Sequence, residues 1–528
     1  KDERPVEVVG LAFAPLPGVI IGHNGRIAWG VTASGVDTWD NYNVEVNPAN
    51  PLQYWWDGAW RDMTVRQEVF HFNDGSPDEV ITIRETHHGP IVNENWNDAD
   101  LTLSTYNNDD PFAVQWTGMM PGSLVEAFLG VFRAQGWDEF REALRDWDAP
   151  QINVSYADVD GNIGFQLPGR VPLRSAENSG LSILPGDSSN YDWQGFLPYE
   201  YLPHVLNPGR GYIVSANQIS VPPEYFDALQ SMLGPAFNAN FHSRDSYGLR
   251  AKRIRDLILA RDDHTVETAR QMQMDDYSEM FCKLAGRLGN LAFDDPADAE
   301  EAAWLASWPC RFEIESPQAI LMIVFWRDLL EAIYSDQLDP PGGSQAQWAV
   351  QTLLDKPNHK IWDDVNTKDM IEDRDAILAR AFLTACAKVE TELGADRGAW
   401  RWGNVHTITF VNRPLGESGV PIVEDYVNRG PYPAPGGPGV LNVALYETGD
   451  DIAATDLAVT WIPVIRIIFD LADLDNTRVV NSTGQSSHPL SPNYADQIQA
   501  WLDGDYHALR WSRKKIIAES TNTLILLP

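Results

Sequence analysis

The hydrophobic period of this 528-residue chain changes twice along its length, and that change restricts the folds it can adopt. Residues 1 to about 120 have the pattern of short strands joined by tight turns, and strand patterns return after about residue 400. Between 246 and 400 the apolar residues recur at helical spacing, as in 250–259 and 318–334. Strands at both ends with helices between them predict an α+β protein whose two strand-rich ends share one core.

Local signals place several elements in the first part. Asn24-Gly25 and Asp160-Gly161 each stand between short apolar runs and predict β-hairpins, because both turn positions need a positive φ. Residues 168–223 are rich in Pro and Gly and predict a long ordered loop region.

Two helices are predicted between these hairpins. The first begins at Ser123, with Glu126 three residues later forming a capping box. The second spans 137–147, and a strand resumes at Ile152.

Composition excludes several classes of partner. The chain has 39 basic and 75 acidic residues, a formal charge of −36, and such a surface repels the phosphate backbone of nucleic acids. The longest apolar run, 319–326, is far shorter than the roughly 20 residues of a membrane span, so it predicts a buried helix segment and no span. The cysteines at 282, 310 and 386 form no CxxC pair; one disulfide is possible but not required.

The residues alone identify no nucleophile and no catalytic base. The chain contains no GxSxG, HExxH, Walker or GxGxxG motif. The segment 158–161 resembles the opening of a calcium loop, but the acidic residue that would close the loop is missing, which favours the hairpin. His87 and His88 are adjacent, and adjacent residues on a strand point to opposite faces, so we expect them not to share a metal ion.

A series of segments resembles the large β-type subunit of the penicillin acylase family. Residues 17–30 have the pattern P-G-x-x-x-G-H-N-x-x-I-x-W-G, which in that family lies downstream of the catalytic serine. Further similar segments follow in the family's order at 54–60, 86–90, 152–164, 192–198, 207–213, 400–406 and 484–489. The resemblance covers nearly the whole chain.

The resemblance implies an αββα sandwich of the N-terminal-nucleophile hydrolase type with a helical insertion. Residues 1–245 would form the first part of the core, 246–400 a mainly helical insertion, and 401–528 a strand-rich part that returns to the core. It also implies autoproteolytic processing, a small α chain from the same precursor, and a periplasmic or secreted location.

The activity implied is hydrolysis of an amide that joins a hydrophobic acyl group to a polar amine. The family nucleophile is an N-terminal serine whose own α-amine acts as the base, and we expect it ahead of Lys1, because no serine in the chain fits the role. Penicillin-like amides are the first substrate class, with acyl-homoserine lactones or lipopeptides as the alternative. The alternative of another class is a non-catalytic binding protein that lacks the nucleophile.

The resemblance also assigns site residues. The backbone N–H of Ala33 and the side chain of Asn217 would form the oxyanion hole, with Arg250 supporting Asn217. His23 is expected to be structural, because the family base is an amine. The acyl pocket and a Ca²⁺ site complete the set: Ile21, Val31, Phe128 and Ile152 for the pocket; Asp37, the Trp39 carbonyl, Asp40 and Asp227 for the ion.

Overall fold

The computed structural model describes residues 5–13, 18–93, 110–219, 221–234, 237–239, 241, 247–413, 415–447 and 456–523. The first residue of the 17–30 pattern, Pro17, lies outside them. The chain divides into two compact units, Lys1–Arg244 and Asp245–Pro528. The return of 401–528 to the core of the first part stays a prediction.

The first unit is dominated by strands. Its elements are β1 Val9–Leu11, β2 Ile21–His23, β3 Ile27–Ala33, β4 Trp39–Asn43, β5 Gln53–Trp56, β6 Ala59–Asp62, β7 Thr64–Phe70, β8 Glu79–Thr86, β9 Gly89–Pro90, β10 Phe112–Trp116, α1 Leu124–Arg133, α2 Trp137–Ala143, β11 Ile152–Asp158, β12 Ile163–Gln166, β13 Arg174–Ser175, β14 Leu184–Pro185, β15 His204–Leu206, α3 Pro223–Leu233 and β16 Phe237–Asn238. Six of the strands form one antiparallel sheet in the order β1-β2-β3-β11-β12-β15.

Both predicted hairpins are present in this sheet. Gly25 and Gly161 have φ values of 88° and 90°, as the turns require. At the first turn, Asn24 Oδ1 accepts the N–H groups of residues 26 and 27, each at 3.0 Å. At the second, Asp158 Oδ1 accepts the N–H groups of residues 160 and 162, each at 2.9 Å. A side chain before the glycine therefore closes each turn.

Helix α1 begins after Ser123 as predicted, but the predicted capping box is wrong. The Ser123 side chain makes no capping hydrogen bond. Its backbone N–H, which Glu126 would bind in a capping box, instead donates to Asp148 Oδ2 at 2.6 Å. A carboxylate 25 residues further along the chain thus takes the place of the local one.

The second unit is helical up to residue 405 and mixes strands and helices after it. Its elements are α4 Leu249–Leu259, α5 Val266–Gln273, α6 Glu279–Leu288, α7 Pro296–Ala306, α8 Pro317–Tyr334, α9 Gly343–Leu353, α10 Arg374–Leu393, α11 Trp402–Val405, β17 Thr407–Phe410, α12 Pro421–Val427, β18 Arg429–Pro433, β19 Leu445–Tyr446, β20 Val459–Trp461, β21 Ile465–Ile468, β22 Arg478–Asn481, α13 Ile498–Asp503, β23 His507–Ala508 and α14 Arg513–Glu519. Together the two units confirm the α+β class.

Helix α8 lies in a large hydrophobic cluster of the second unit. Its apolar run 319–326 is buried throughout, which confirms the predicted buried helix segment. Within the described parts of the chain, no helix is both long and apolar enough to cross a membrane. Cys282 on α6 forms a disulfide with Cys310, and Cys386 is a free thiol.

Candidate active site

Asn217 lies against the last residue of β3. Its Nδ2 donates to the carbonyl oxygen of Ala33 at 3.1 Å. Ala33 pairs with Ile152, the first residue of β11, so this contact lies at the end of the ladder between β3 and β11. The fold therefore brings together the two residues predicted to form the oxyanion hole.

Three polar side chains not predicted from the sequence join this group. Thr32 Oγ1 and Ser215 Oγ are 2.5 Å apart, which ties the segment before Asn217 to β3. Asn153, 1% exposed, donates through Nδ2 to Thr32 Oγ1 at 3.3 Å and to the Ala33 carbonyl at 3.2 Å. Buried polar groups nearly always have partners. An asparagine between apolar residues of a predicted strand was the available signal for Asn153.

The other face of the same two strands is apolar. Neighbouring residues of a strand point to opposite faces, so Val31 and Ile152 lie on the face away from Thr32 and Asn153. There they pack against the cluster that includes helix α1, in which Phe128 is buried. All four residues predicted for the acyl pocket belong to this one cluster: Ile21, Val31, Phe128 and Ile152.

His23 is buried at the end of β2, inside the first hairpin. Its Nδ1 accepts the N–H of Gly25 at 3.3 Å. Burial lowers the pKa of the imidazole to about 4, so the ring is neutral near pH 7. A neutral ring bonded within its own turn agrees with the structural role expected for it.

The predicted calcium turn carries two carboxylates that share one guanidinium. Arg174 Nε donates to Asp40 Oδ2 at 2.8 Å, and Arg174 Nη2 lies 3.2 Å from Asp37 Oδ1. Asp40 and Arg174 are both buried, and Asp40 Oδ1 is buried with no hydrogen-bond partner in the described part of the chain. Two carboxylates and one guanidinium give this group of three side chains a net charge of −1. In the sequence, Trp39 lies between the two carboxylates, and carboxylate and carbonyl oxygens are the ligands that Ca²⁺ prefers.

Two other predicted site residues lie on helices. Asp227 is exposed on helix α3. No third imidazole, thiol or carboxylate of the described residues completes, with Asp37 and Asp40, a group whose ligand atoms all lie within 4.8 Å of one another. Arg250 is the second residue of helix α4 in the second unit, where burial lowers the pKa of its guanidinium. Its support of Asn217 stays a prediction.

The sequence model of the penicillin amidase family matches residues 3–518. The chain belongs to the penicillin amidase family. The acyl-homoserine lactone acylase QuiP of Pseudomonas aeruginosa is 30% identical over 538 residues, which cover 95% of this chain and 61% of that relative. The penicillin acylase 2 proenzyme of Pseudomonas sp. (strain SE83) is 27% identical over 561 residues, which cover 99% of this chain and 64% of that relative. This family member thus spans about three fifths of the length of these relatives.

Among solved structures, a thermostable penicillin G acylase from Alcaligenes faecalis has a TM-score of 0.71 at 20% sequence identity. The match covers 99% of this chain and 94% of that chain. The predicted N-terminal-nucleophile hydrolase fold of this penicillin amidase family member is therefore confirmed.

The prediction that His87 and His88 point to opposite faces is wrong in this member of the family. They follow β8 as a turn before β9, where strand alternation does not apply. Both rings face Asp192: His88 Nε2 lies 2.7 Å from Oδ1, and His87 Nε2 lies 3.4 Å from Oδ2. Burial lowers the pKa of His88. Although burial raises that of Asp192, hydrogen bonds from the two histidines hold its pKa below the usual range.

Proposed function

We propose that the chain is the larger part of an amide hydrolase that removes a hydrophobic acyl group from a polar amine. The observation that carries the proposal is the carboxamide of Asn217 at the end of β3, a strand whose other face is apolar around Val31 and Ile152. Acyl transfer needs donors for the developing oxyanion and an apolar surface for the acyl chain. The names of the relatives, an acyl-homoserine lactone acylase and a penicillin acylase, support an acylated amine as the substrate.

In the proposed reaction, the hydroxyl oxygen of a serine ahead of Lys1 attacks the amide carbonyl carbon. The α-amine of that serine, with a pKa of about 7.7–8.0, takes the hydroxyl proton through a water molecule. The backbone N–H of Ala33 and an N–H of Asn217 donate to the oxyanion. The C–N bond breaks, the amine leaves with the proton, and water hydrolyses the acyl-enzyme to release the acid.

The proposed pocket favours an apolar acyl group. All four residues assigned to it are hydrophobic, which does not suit a charged dicarboxylate side chain. Acyl-homoserine lactones and lipopeptides meet this requirement as penicillin-like amides do. Because the relative at 30% identity is named for acyl-homoserine lactones, these are the first substrates to assay.

The proposal also includes a calcium ion, a partner chain and a location. Asp37, the Trp39 carbonyl and Asp40 would hold a structural Ca²⁺, and this is supported by the buried Asp40 Oδ1, which has no hydrogen-bond partner among the described residues. A small α chain from the same precursor is supported by the word proenzyme in the name of one relative. A periplasmic or secreted location is supported by the disulfide, because disulfides persist in oxidising compartments.

The decisive experiment uses the complete gene product, including the region coded upstream of Lys1. We expect it to be cleaved so that a serine becomes N-terminal, and to release acid from phenylacetyl amides or long-chain acyl-homoserine lactones. Replacing that serine by alanine is the matched control and should abolish turnover.

Two outcomes would overturn the proposal. One is an upstream region with no Ser, Thr or Cys that processing exposes. The other is a processed, folded protein that hydrolyses neither substrate class. Either would favour a binding protein on the same scaffold.

A further inference from the structure

The donor atoms of His87, His88 and Asp192 lie close to the separation that a metal ion requires. His88 Nε2 is 2.7 Å from Asp192 Oδ1, and His87 Nε2 is 3.5 and 3.4 Å from the two carboxylate oxygens. All three ligand atoms lie within 4.8 Å of one another. In a tetrahedral site with bonds of about 2.0–2.1 Å, ligand atoms are about 3.3 Å apart. A small movement would therefore form the site.

Neighbouring aromatic side chains orient both imidazoles. The ring of Tyr42 stacks on His88, with centroids 3.7 Å apart and planes within 4°. Trp56 contacts His87 edge-on at 4.8 Å, and the Tyr54 hydroxyl lies 3.0 Å from His87 Nδ1. A hydrogen bond at the second ring nitrogen fixes the ring orientation and tautomer of metal-binding histidines. This contact directs His87 Nε2 towards Asp192.

The charge of the group favours a cation. Within the described parts of the chain, Asp192 forms ion pairs only with His87 and His88, so no lysine or arginine there competes with a metal ion for its carboxylate. The His88 side chain is 2% exposed, whereas those of Asp192 and His87 are 20% and 31% exposed. The site therefore has one buried ligand, His88, and is open to solvent at His87, where a water ligand can enter.

We propose that His87, His88 and Asp192 bind one divalent transition-metal ion, of the Zn²⁺ class, with water as a fourth ligand. Two imidazoles and one carboxylate are donors that zinc takes, whereas Ca²⁺ prefers an all-oxygen set. The ion joins the turn after β8 to the loop that carries Trp193, whose Nε1 donates to Asp40 Oδ2 at 2.5 Å. The proposal does not depend on amide hydrolysis.

Calorimetric titration of the whole chain with Zn²⁺ tests this site. The protein is first stripped with a chelator and desalted, and Ca²⁺ is kept in the buffer to occupy hard-oxygen sites. We expect one saturable equivalent of Zn²⁺, and Co²⁺ in its place should give the visible absorption of a low-coordinate site. His87→Gln should weaken Zn²⁺ binding by at least about tenfold. Because His87 is partly exposed, this variant should keep the fold of the metal-free protein.

His71→Gln is the matched control. His71 Nδ1 lies 2.9 Å from Asp78 Oδ2 in an exposed histidine–aspartate pair. Among the described residues, no second histidine completes a metal-binding group with this pair. This variant should bind Zn²⁺ as the unmodified chain does. Asp192→Asn gives a second test, since it keeps the shape of the side chain but removes its charge, and it should also weaken binding. The proposal is overturned if no saturable equivalent binds, if His87→Gln and Asp192→Asn bind normally, or if His71→Gln weakens binding equally.

Discussion

Asn217 has a left-handed backbone, with φ at 67°, a conformation that residues with a Cβ adopt rarely and that Asn tolerates better than most. One long-range and one local hydrogen bond hold this segment: the Asn217 carboxamide donates to the Ala33 carbonyl, and the N–H of Ala216 donates to Gln218 Oε1 at 2.7 Å. Unfavourable backbone conformations persist where the surrounding structure fixes them, and they cluster at functional sites. The backbone conformation of Asn217 and its side-chain contact therefore both support its assignment to the oxyanion hole.

Replacing Asn217 by Ala and by Gly separates these two contributions. Both variants lack the amide donor, so in the complete processed enzyme we expect kcat to fall by about 10²–10³ in each. Alanine at a positive φ costs about 1–2 kcal/mol, whereas glycine adopts it freely, so Asn217→Gly should keep the higher Tm. Steady-state kinetics and thermal unfolding measure the two effects. A normal kcat in Asn217→Gly would show that Asn217 is not part of the oxyanion hole.

Whether a single residue could be predicted depended on what specifies it: the local sequence, the family resemblance or only the folded structure. The resemblance assigned Ala33 and Asn217 to one site; they are 184 residues apart, and the Asn217 Nδ2 lies 3.1 Å from the Ala33 carbonyl oxygen. No local pattern contains that pairing. Asn153 was missed because an amide in a strand looks like a solvent-facing position until the layer on that face is known. His87 was misjudged because the alternation of a strand was applied to a turn.

Elements with local determinants were predicted best. The hairpins at Gly25 and Gly161 depend on φ > 0 and on side-chain hydrogen bonds that span two to four residues, so the local sequence contains what specifies them. The start of α1 was predicted, but its N-terminal partner was not, because Asp148 competes from outside the helix. Strands β13, β14 and β15 have two or three residues each, too few to show a period.

The proposed Ca²⁺ site, which runs from Asp37 into the first two residues of β4, gives a prediction at the scale of one element. If Ca²⁺ binds there, a chelator should lower Tm and Ca²⁺ should restore it. A ligand that binds only the folded state adds about 2.7 kcal/mol at 100-fold excess over its Kd. Asp40→Asn removes the carboxylate whose Oδ1 has no hydrogen-bond partner in the described part of the chain, so the difference in Tm between Ca²⁺ and chelator should vanish.

Asp62→Asn is the control for that experiment, because Asp62 is an exposed carboxylate on β6 that accepts a hydrogen bond from Gln53 at 2.7 Å. It should keep the full response to chelation. A wild-type Tm that does not respond to the chelator would contradict the calcium proposal.

For the whole molecule, the predicted α+β class is confirmed, whereas the return of 401–528 to the core of the first part stays a prediction. The change to helical period near residue 246 falls beside the boundary between the two compact units. The pairing of cysteines could not be predicted, because three cysteines allow three single disulfides and only the fold brings Cys282 beside Cys310. The free thiol is Cys386 on helix α10, where burial raises its pKa to about 12.

We expect the Cys282–Cys310 disulfide to stabilise the second unit. Its cysteines are 28 residues apart, and a cross-link over a loop of that length is worth about 3–4 kcal/mol in the chain-entropy description. We expect Cys282→Ala/Cys310→Ala to lower Tm, and a reductant to lower Tm in the wild type but not in the double variant. Cys386→Ala also removes a sulfur atom but breaks no cross-link, so it should keep both the Tm and the response to reductant. Equal Tm values for wild type and double variant would show that the cross-link contributes nothing to stability.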